Sequence, residues 1–205
     1  MLIVQPPAQS DDALLKASRR LDWRFLLPEP ELGQVACIGS HDPELVESLR
    51  LFSSEFSTGD AAEDSRERAP YDVVVLRNPT PEDLAGAISL LRPGGWAYVE
   101  VEGSSSLRRA GRGRSARGYA NALRRLGLVD VGAYLHWPDF GSCRAIAALD
   151  DAVAVRQALA RGRRGGRAGI VRRLAPVLAA THLLAAVAPC ASAVGRRVRS
   201  EEGGG

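Results

Sequence analysis

The feature that most constrains the fold is the run YDVVVL at residues 71–76, which is almost entirely apolar and rich in β-branched side chains. A strand with two apolar faces belongs inside a parallel sheet, between two layers of helices. The apolar run at 35–38 comes before it, WAYVEV comes after it at 96–101, and helical segments separate the three. This alternation predicts an α/β fold with a mostly parallel sheet.

Two of these helices have clear start signals in the sequence. Asp42 is a good N-cap with Pro43 at the first helical position, and Thr80 and Pro81 repeat the arrangement, with Asp83 completing a variant capping box. The signals therefore predict that one helix begins directly after the strand at 35–38 and the other after the strand at 71–76.

The remaining elements are predicted from shorter patterns. Residues 10–20 are expected to form a helix and residues 50–54 a second strand, whereas residues 104–118 are low in apolar content and are expected to be mobile. The helical segment YANALRRLGL is followed by two β-rich runs around a Pro-Asp-Phe-Gly turn. These runs predict an antiparallel hairpin at the end of the sheet.

Composition narrows the class of protein. The chain has 205 residues, 45% of them hydrophobic, which is enough for one domain and an appendage. Three widely spaced cysteines suit neither a disulfide framework nor a zinc site, and no secretory signal is present, so we expect a cytoplasmic protein without a metal. Only 5% of residues are aromatic and no recognised binding motif is present, which argues against a nucleic-acid partner.

Charge is distributed unevenly along the chain. Residues 1–106 hold 9 basic and 18 acidic side chains, whereas residues 107–205 hold 18 basic and 6 acidic ones. A basic half of this kind indicates an anionic partner or an acidic protein surface. We therefore expect a protein partner that binds through the C-terminal part of the chain.

The C-terminal part, residues 151–205, is predicted to be a basic and apolar helical extension. No residue between Leu174 and Gly195 is charged, and several apolar residues fall on one helical stripe. Three interpretations stay open: a helix packed on this domain or on a partner, an interfacial membrane helix within residues 170–195, and a full membrane span.

Four central features resemble class I, Rossmann-like S-adenosylmethionine-dependent methyltransferases. They are the strand, glycine and helix at 35–50, the strand YDVVVL, the segment LLRPGGWAYVEV, and the terminal hairpin. The resemblance covers about residues 33–150, and it divides the chain into an N-terminal lead-in at 1–32, a methyltransferase-like domain at 33–150 and the extension at 151–205. It implies S-adenosylmethionine as the cofactor.

The same resemblance implies cofactor-binding positions at Gly39 and Glu55 and one defect, and His41 in the same loop is a third candidate for contact with the cofactor. Gly39 matches the first glycine of the family's loop, His41 lies beside it, and Glu55 lies near the acidic residue that binds the ribose hydroxyls. Cys37, however, takes the family's acidic position, and Ser-His-Asp-Pro replaces the later glycines. Because an N-cap carboxylate at Asp42 would repel the cofactor's own carboxylate, the sequence predicts a degenerate cofactor motif.

Candidates for catalysis are His136, Asp139 and Asn78. A histidine and an aspartate three positions apart could form a general base, although packing of Trp137 and a solvated turn is the more ordinary explanation. Asn78 opens the segment NPT, which resembles the NPPY motif of amino-methylating members but lacks its second proline and its aromatic residue. Thr80 serves equally as a helix cap, and no metal-ligating or Ser-His-Asp pattern is present.

Two functions from different classes follow from these patterns. The segments LDWRFLLPEPELGQVACIG and LHWPDFGSCRAIAALDD resemble methyltransferase-like segments of actinobacterial natural-product and envelope-sugar pathways, some of which adjoin phosphotransferase-like kinase domains. The chain is thus either a methyltransferase that acts on a small molecule or peptide, or a non-catalytic pseudo-methyltransferase that stabilises a partner enzyme such as a phosphotransferase-like kinase.

Overall fold

A seven-stranded sheet forms the centre of the molecule. The computed structural model describes residues 11–39, 42–59, 71–102, 115–160 and 190–199. In chain order the elements are α1 (Asp11–Arg20), a 3-10 helix (Asp22–Leu26), β1 (Gln34–Ile38), α2 (Pro43–Phe52), β2 (Glu55–Gly59), β3 (Tyr71–Arg77), α3 (Pro81–Ser89), β4 (Leu91–Glu102), α4 (Ala116–Arg125), β5 (Leu128–Trp137), β6 (Ala145–Ala148), α5 (Ala152–Ala160) and β7 (Cys190–Arg197).

The strand order is β2-β1-β3-β4-β7-β5-β6. Strands β2, β1, β3 and β4 pair in parallel, and β7 pairs antiparallel with both β4 and β5. Strand β5 consequently points the same way as β4, so that five of the seven strands share one direction. The predicted α/β fold with a mostly parallel sheet is confirmed, and it is Rossmann-like.

Each face of the sheet carries its own hydrophobic core. On one face α1, the 3-10 helix and α2 cover the sheet, where the ring of Trp23 stacks on that of Tyr98 with centroids 3.9 Å apart. On the other face α3, α4 and α5 contribute buried side chains such as Leu84, Tyr119 and Leu159. Continuous burial of β3 from Val73 to Leu76 agrees with its position between the two layers.

The helix starts agree with the sequence signals. Asp42 accepts a hydrogen bond from the Glu44 amide at 3.1 Å, and Thr80 and Asp83 form a reciprocal capping box on α3. Gly95, near the start of β4, is required by close packing of the backbone. A Cβ on this residue would lie 2.9 to 3.0 Å from three backbone carbonyl oxygens. Only glycine allows β3 and β4 to approach this closely.

The second strand is displaced from its predicted position. Residues 50–54 were expected as a strand, but α2 continues to Phe52, Ser53 caps it, and β2 runs over Glu55–Gly59. Leu49 is fully buried and its carbonyl oxygen accepts hydrogen bonds from Ser53, so packing prolongs the helix by one turn. The predicted mobile segment 104–118 falls partly in α4, and its residues 104–114 lie outside the described residues.

The hairpin of β5 and β6 is confirmed, but the end of the chain differs from the prediction. Residues 190–197, expected within a helical extension, form β7 and are inserted between β4 and β5. Their small, uncharged side chains fit this position, since Ala191, Ala193 and Val194 are buried. The division of the chain at residue 150 stays a prediction; residues 170–189 lie outside the described part, so a membrane contact there stays open.

None of the helices in the described ranges has the length and apolar character needed to cross a bilayer.

Candidate functional site

The carboxyl edge of β1 and β2 is where the sequence places a cofactor. Ile38 at the end of β1 lies beside Gly59 at the end of β2, and Gly39 follows with a φ of +86°. Among the described residues other than its chain neighbours, none has a heavy atom within 4 Å of the position that a Cβ on Gly39 would occupy. The backbone at the end of β1 is therefore open on that side, which is the geometry needed for close approach of a ligand.

The start of α2 limits what this edge can accept. The Asp42 carboxylate caps the helix and occupies an amide hydrogen that would otherwise face a ligand. Because a helix N-terminus carries a partial positive charge, a free N-terminus would attract an anion. Here the protein supplies that anion itself, so a ligand carboxylate must compete with Asp42.

A buried ion pair joins α1 to this edge. The Arg20 guanidinium donates to the two carboxylate oxygens of Glu100 at 2.7 and 2.9 Å, and its Nε lies 3.7 Å from Asp42 Oδ2. Only 3% of Arg20 and 1% of Glu100 is exposed. Burial alone would lower the pKa of Arg20, but its hydrogen bonds to Glu100 and that residue's charge outweigh burial and raise the pKa above its ordinary value.

Cys37 lies beside this ion pair. Its side chain is fully buried, and burial together with the Glu100 charge raises the pKa of the Cys37 thiol far above its usual range. A neutral thiol therefore occupies the position where the resemblance would place a carboxylate. Cys37 cannot supply the charge of the family's acidic residue.

His136, near the end of β5, is buried and neutral. Burial, followed by the nearby Arg20 charge, lowers the pKa of His136 to about 3. Its Nε2 lies 2.8 Å from Ser192 Oγ, and its ring contacts that of Phe140 at a centroid distance of 4.8 Å. An imidazole with this pKa is a weak base, and with 2% exposure it does not reach solvent, so His136 is placed as a structural group.

Asp139 does not pair with His136 in the structure. Its two carboxylate oxygens accept hydrogen bonds from the Ser142 amide and hydroxyl at 2.6 and 2.7 Å. The residue therefore stabilises the turn between β5 and β6. The predicted pair of a histidine and an aspartate as a general base is not formed.

Asn78 also has a structural role. It adopts a φ of +44°, its amide donates to the Glu100 carbonyl oxygen at 2.9 Å, and its Oδ1 accepts from the Glu102 amide at 3.2 Å. These bonds extend the pairing of β3 with β4 by one residue. The Pro79 carbonyl oxygen accepts from the Tyr119 hydroxyl, and Thr80 caps α3, so this segment closes a turn.

Glu55 lies at the wrong edge of the sheet for ribose binding. It begins β2, pairs with Gln34 at the start of β1, and accepts a hydrogen bond from the Gln34 side chain at 3.0 Å. Gly39 is at the opposite end of the same two strands. In the sequence, Asp60 directly follows β2. The sequence patterns did not indicate Asp60, because they predicted the second strand at residues 50–54.

His41, the third predicted cofactor residue, lies outside the described residues, as does Asp60. Within the described ranges, no group of three or more histidine, cysteine, aspartate or glutamate side chains is arranged to hold a metal ion. Sequence reasoning missed Arg20 and Glu100, since only the tertiary fold brings these residues together.

Comparison with known proteins gives a structural likeness alone. No family model matches the chain, and no curated protein matches it significantly. One similar solved structure is a methyltransferase from Archaeoglobus fulgidus, with 13% sequence identity and a TM-score of 0.47; the match covers 90% of this chain and 93% of that one. Another is a possible histamine N-methyltransferase from Thermotoga maritima, with 12% identity and a TM-score of 0.46; that match covers 90% of this chain and 89% of the other. Both are S-adenosylmethionine-dependent by description.

A third similar structure is phosphoethanolamine N-methyltransferase 2 from Haemonchus contortus, at 13% identity and a TM-score of 0.45. The match covers 89% of this chain and 53% of that protein, so this chain spans about half its length. Sequence identities and TM-scores this low show a similar general arrangement of the sheet and helices. They do not show a shared activity.

Proposed function

We propose that this protein binds S-adenosylmethionine at the carboxyl edge of β1 and β2 and transfers its methyl group to a small molecule or peptide. The observation that carries the proposal is the open backbone at Gly39, which has a φ of +86° and, in the part of the chain that the structure describes, no non-neighbouring heavy atom within 4 Å of its Cβ position. Gly59 lies at the end of the neighbouring strand, and Asp60 follows it in the sequence. An acid directly after β2 suits the ribose hydroxyls that the resemblance assigns to this position.

The chain's own residues would hold and orient the reactants. When bound, the cofactor supplies an activated methyl group on a sulfonium, so the protein's contribution is proximity and exclusion of water. Methyl transfer does not require His136 and Asp139 to act as a general base, provided that the acceptor needs no proton removed beforehand. The context we propose is a bacterial natural-product or peptide-modification pathway in the cytoplasm, from the resemblance of the sequence segments.

One residue opposes this fit and supports a second candidate function. Asp42 places a carboxylate at the start of α2, where the resemblance places the cofactor's carboxylate. A protein that had lost the cofactor would tolerate such a cap, because Asp42 stabilises the helix by itself. The second candidate is therefore a pseudo-methyltransferase that binds and stabilises a partner enzyme, such as a phosphotransferase-like kinase.

Calorimetric titration with S-adenosylmethionine and S-adenosylhomocysteine separates the two functions. The proposal expects a dissociation constant in the micromolar range for both ligands. Absence of binding to protein that unfolds cooperatively would exclude methyl transfer and favour the second candidate. In that case light scattering should show association or aggregation of the isolated chain, and a monodisperse chain would count against the second candidate as well.

A further inference from the structure

A basic pocket lies between α1 and the loop that joins β5 to β6. Its volume is about 630 Å³, and the side chains that define it are Asp12, Leu15, Lys16, Arg19, Cys143 and Arg144. We call this cavity the basic pocket. None of these residues belongs to the carboxyl-edge site described above.

The charge of the basic pocket is strongly one-sided. It is lined by three cations, Lys16, Arg19 and Arg144, against the single carboxylate of Asp12. Lys16 forms an exposed ion pair with Glu44 at 3.3 Å. Among the described residues, Arg19 and Arg144 form no direct ion pair, and Arg19 interacts electrostatically with Asp22. Two guanidinium groups that line one cavity, neither in a direct ion pair with a described residue, are the donors that a phosphate or carboxylate group requires.

The acids near the pocket offset the charge of these arginines only in part. Asp139 directs both of its carboxylate oxygens to Ser142. Asp22, the first residue of the 3-10 helix, interacts electrostatically with Arg19 and Cys143, and burial raises its pKa against the opposing charges of Arg24 and Arg19. Burial also raises the pKa of Cys143, so this nearly buried thiol adds no negative charge to the floor of the pocket.

Both walls of the pocket are held in place by other contacts. On one wall, the Arg20 pair with Glu100 fixes the end of α1 against β4. On the other wall, the Arg144 amide donates to the Trp137 carbonyl oxygen at 2.8 Å, which fixes the loop between β5 and β6. Leu15, which is 50% exposed, adds an apolar surface at the rim.

We propose that the basic pocket binds an anionic group, a phosphate or a carboxylate, with Arg19 and Arg144 as its principal ligands, and that this group belongs to the methyl acceptor. The contacts of Lys16 with Glu44 and of Arg20 with Asp42 join the same helix to the start of α2, so the pocket adjoins the edge assigned to the cofactor. The role in acceptor binding rests on the proposed function, whereas the anion site does not.

The test uses the full chain and two small probes, phenyl phosphate and benzoate, with phenol as the uncharged reference. The variant is Arg19→Gln with Arg144→Gln, and its matched control is Arg50→Gln with Arg156→Gln, which removes two exposed charges elsewhere. Binding is followed by calorimetry or by NMR shifts, and folding is checked by thermal melting of each variant.

The proposal expects millimolar or tighter binding of at least one anion, none of phenol, and a loss of about tenfold or more in the pocket variant alone. The anion that binds more tightly identifies the group as phosphate or carboxylate. Equal binding by wild type and pocket variant, or no binding of either anion, would overturn the site. Anion binding without any S-adenosylhomocysteine binding would keep the site and overturn its role in acceptor binding.

Discussion

Arg20 on α1 and Glu100 on β4 form a doubly hydrogen-bonded ion pair in the interior, although 80 residues separate them in the chain. Phe140 lies against the Arg20 guanidinium at 5.3 Å, and Asp42 lies on its Nε side. The pair therefore connects the N-terminal helix, the central sheet, the start of α2 and the loop after β5. The ion pair between Arg20 and Glu100 thus helps to position both the carboxyl edge of β1 and β2 and the basic pocket.

Breaking this pair on one side is expected to destabilise the protein severely. Arg20→Met or Glu100→Leu leaves one buried charge without its partner, which costs about 3 to 5 kcal/mol. The double variant restores an apolar environment and should be more stable than either single variant. Urea unfolding measures all three free energies, and a double variant that loses the sum of the two single effects would contradict the account.

An exposed ion pair provides the matched comparison for that experiment. Arg50 and Glu47 lie 3.4 Å apart on the surface of α2. The corresponding Arg50→Met and Glu47→Leu variants should each change the free energy of unfolding by less than about 1 kcal/mol.

His136 is expected to make the protein less stable as the pH falls. Its folded-state pKa of about 3 lies below the ordinary value of 6.5, so between these limits the unfolded chain binds a proton that the folded chain does not. The free energy of unfolding should therefore fall by about 1.4 kcal/mol for each pH unit in this window, relative to a His136→Asn variant. Urea unfolding at pH 7.5 and 5.5 gives the difference.

NMR of the wild-type imidazole groups gives an independent check of the same prediction. The signal that disappears in the His136→Asn variant should not titrate between pH 8 and 5. A signal that titrates near pH 6.5 would show that His136 is accessible to protons, contrary to its burial.

Asp42→Asn should strengthen cofactor binding. Asparagine caps a helix about as well as aspartate does, so α2 keeps its start while the repelling charge is removed. We expect S-adenosylhomocysteine to bind about fivefold more tightly, which corresponds to about 1 kcal/mol of charge repulsion at a helix terminus. Glu47→Gln, an exposed charge later on the same helix, is the control and should leave affinity unchanged; unchanged or weaker binding by Asp42→Asn would contradict this reading.

The position of β7 between β4 and β5 indicates where the chain can be truncated without loss of folding. Truncation after residue 160 removes the strand that lies between β4 and β5 and exposes both of their edges. We expect this product to be insoluble or without a cooperative thermal transition, whereas truncation after residue 199 should preserve both. A well-folded product ending at 160 would show that the sheet closes without β7.

Local signals predicted much of this fold. The caps at Asp42 and Thr80 act between neighbouring residues, and the apolar character of β3 reflects its own burial, so each can be inferred from a short stretch of sequence. Such signals carry no information on partners distant in the chain. Arg20, for example, suits the C-terminal end of α1 by the helix dipole, and nothing near it in the sequence indicates Glu100.

The errors have the same physical origin. The run ending in Gly195 is alanine-rich and uncharged, which favours a helix locally, but pairing with β4 and β5 makes residues 190–197 a strand. Glu55 was selected for the ribose site because the second strand was expected at residues 50–54, which would place Glu55 at its carboxyl end. Burial of Leu49 in the core instead extends α2 to Phe52, so that Glu55 begins β2. Tertiary packing thus places Glu55 at the start of β2, and the acid that follows β2 in the sequence is Asp60.

The most direct test of the account compares two acids at opposite ends of β2. Calorimetric titration of S-adenosylhomocysteine is made with wild type, Asp60→Asn and Glu55→Gln, after each protein is shown to unfold cooperatively. The account predicts micromolar binding by wild type and by Glu55→Gln, and binding at least about tenfold weaker for Asp60→Asn, as expected when a charged hydrogen-bond acceptor is lost. Equal affinity in all three proteins, or loss only in Glu55→Gln, would contradict a cofactor site at the carboxyl edge.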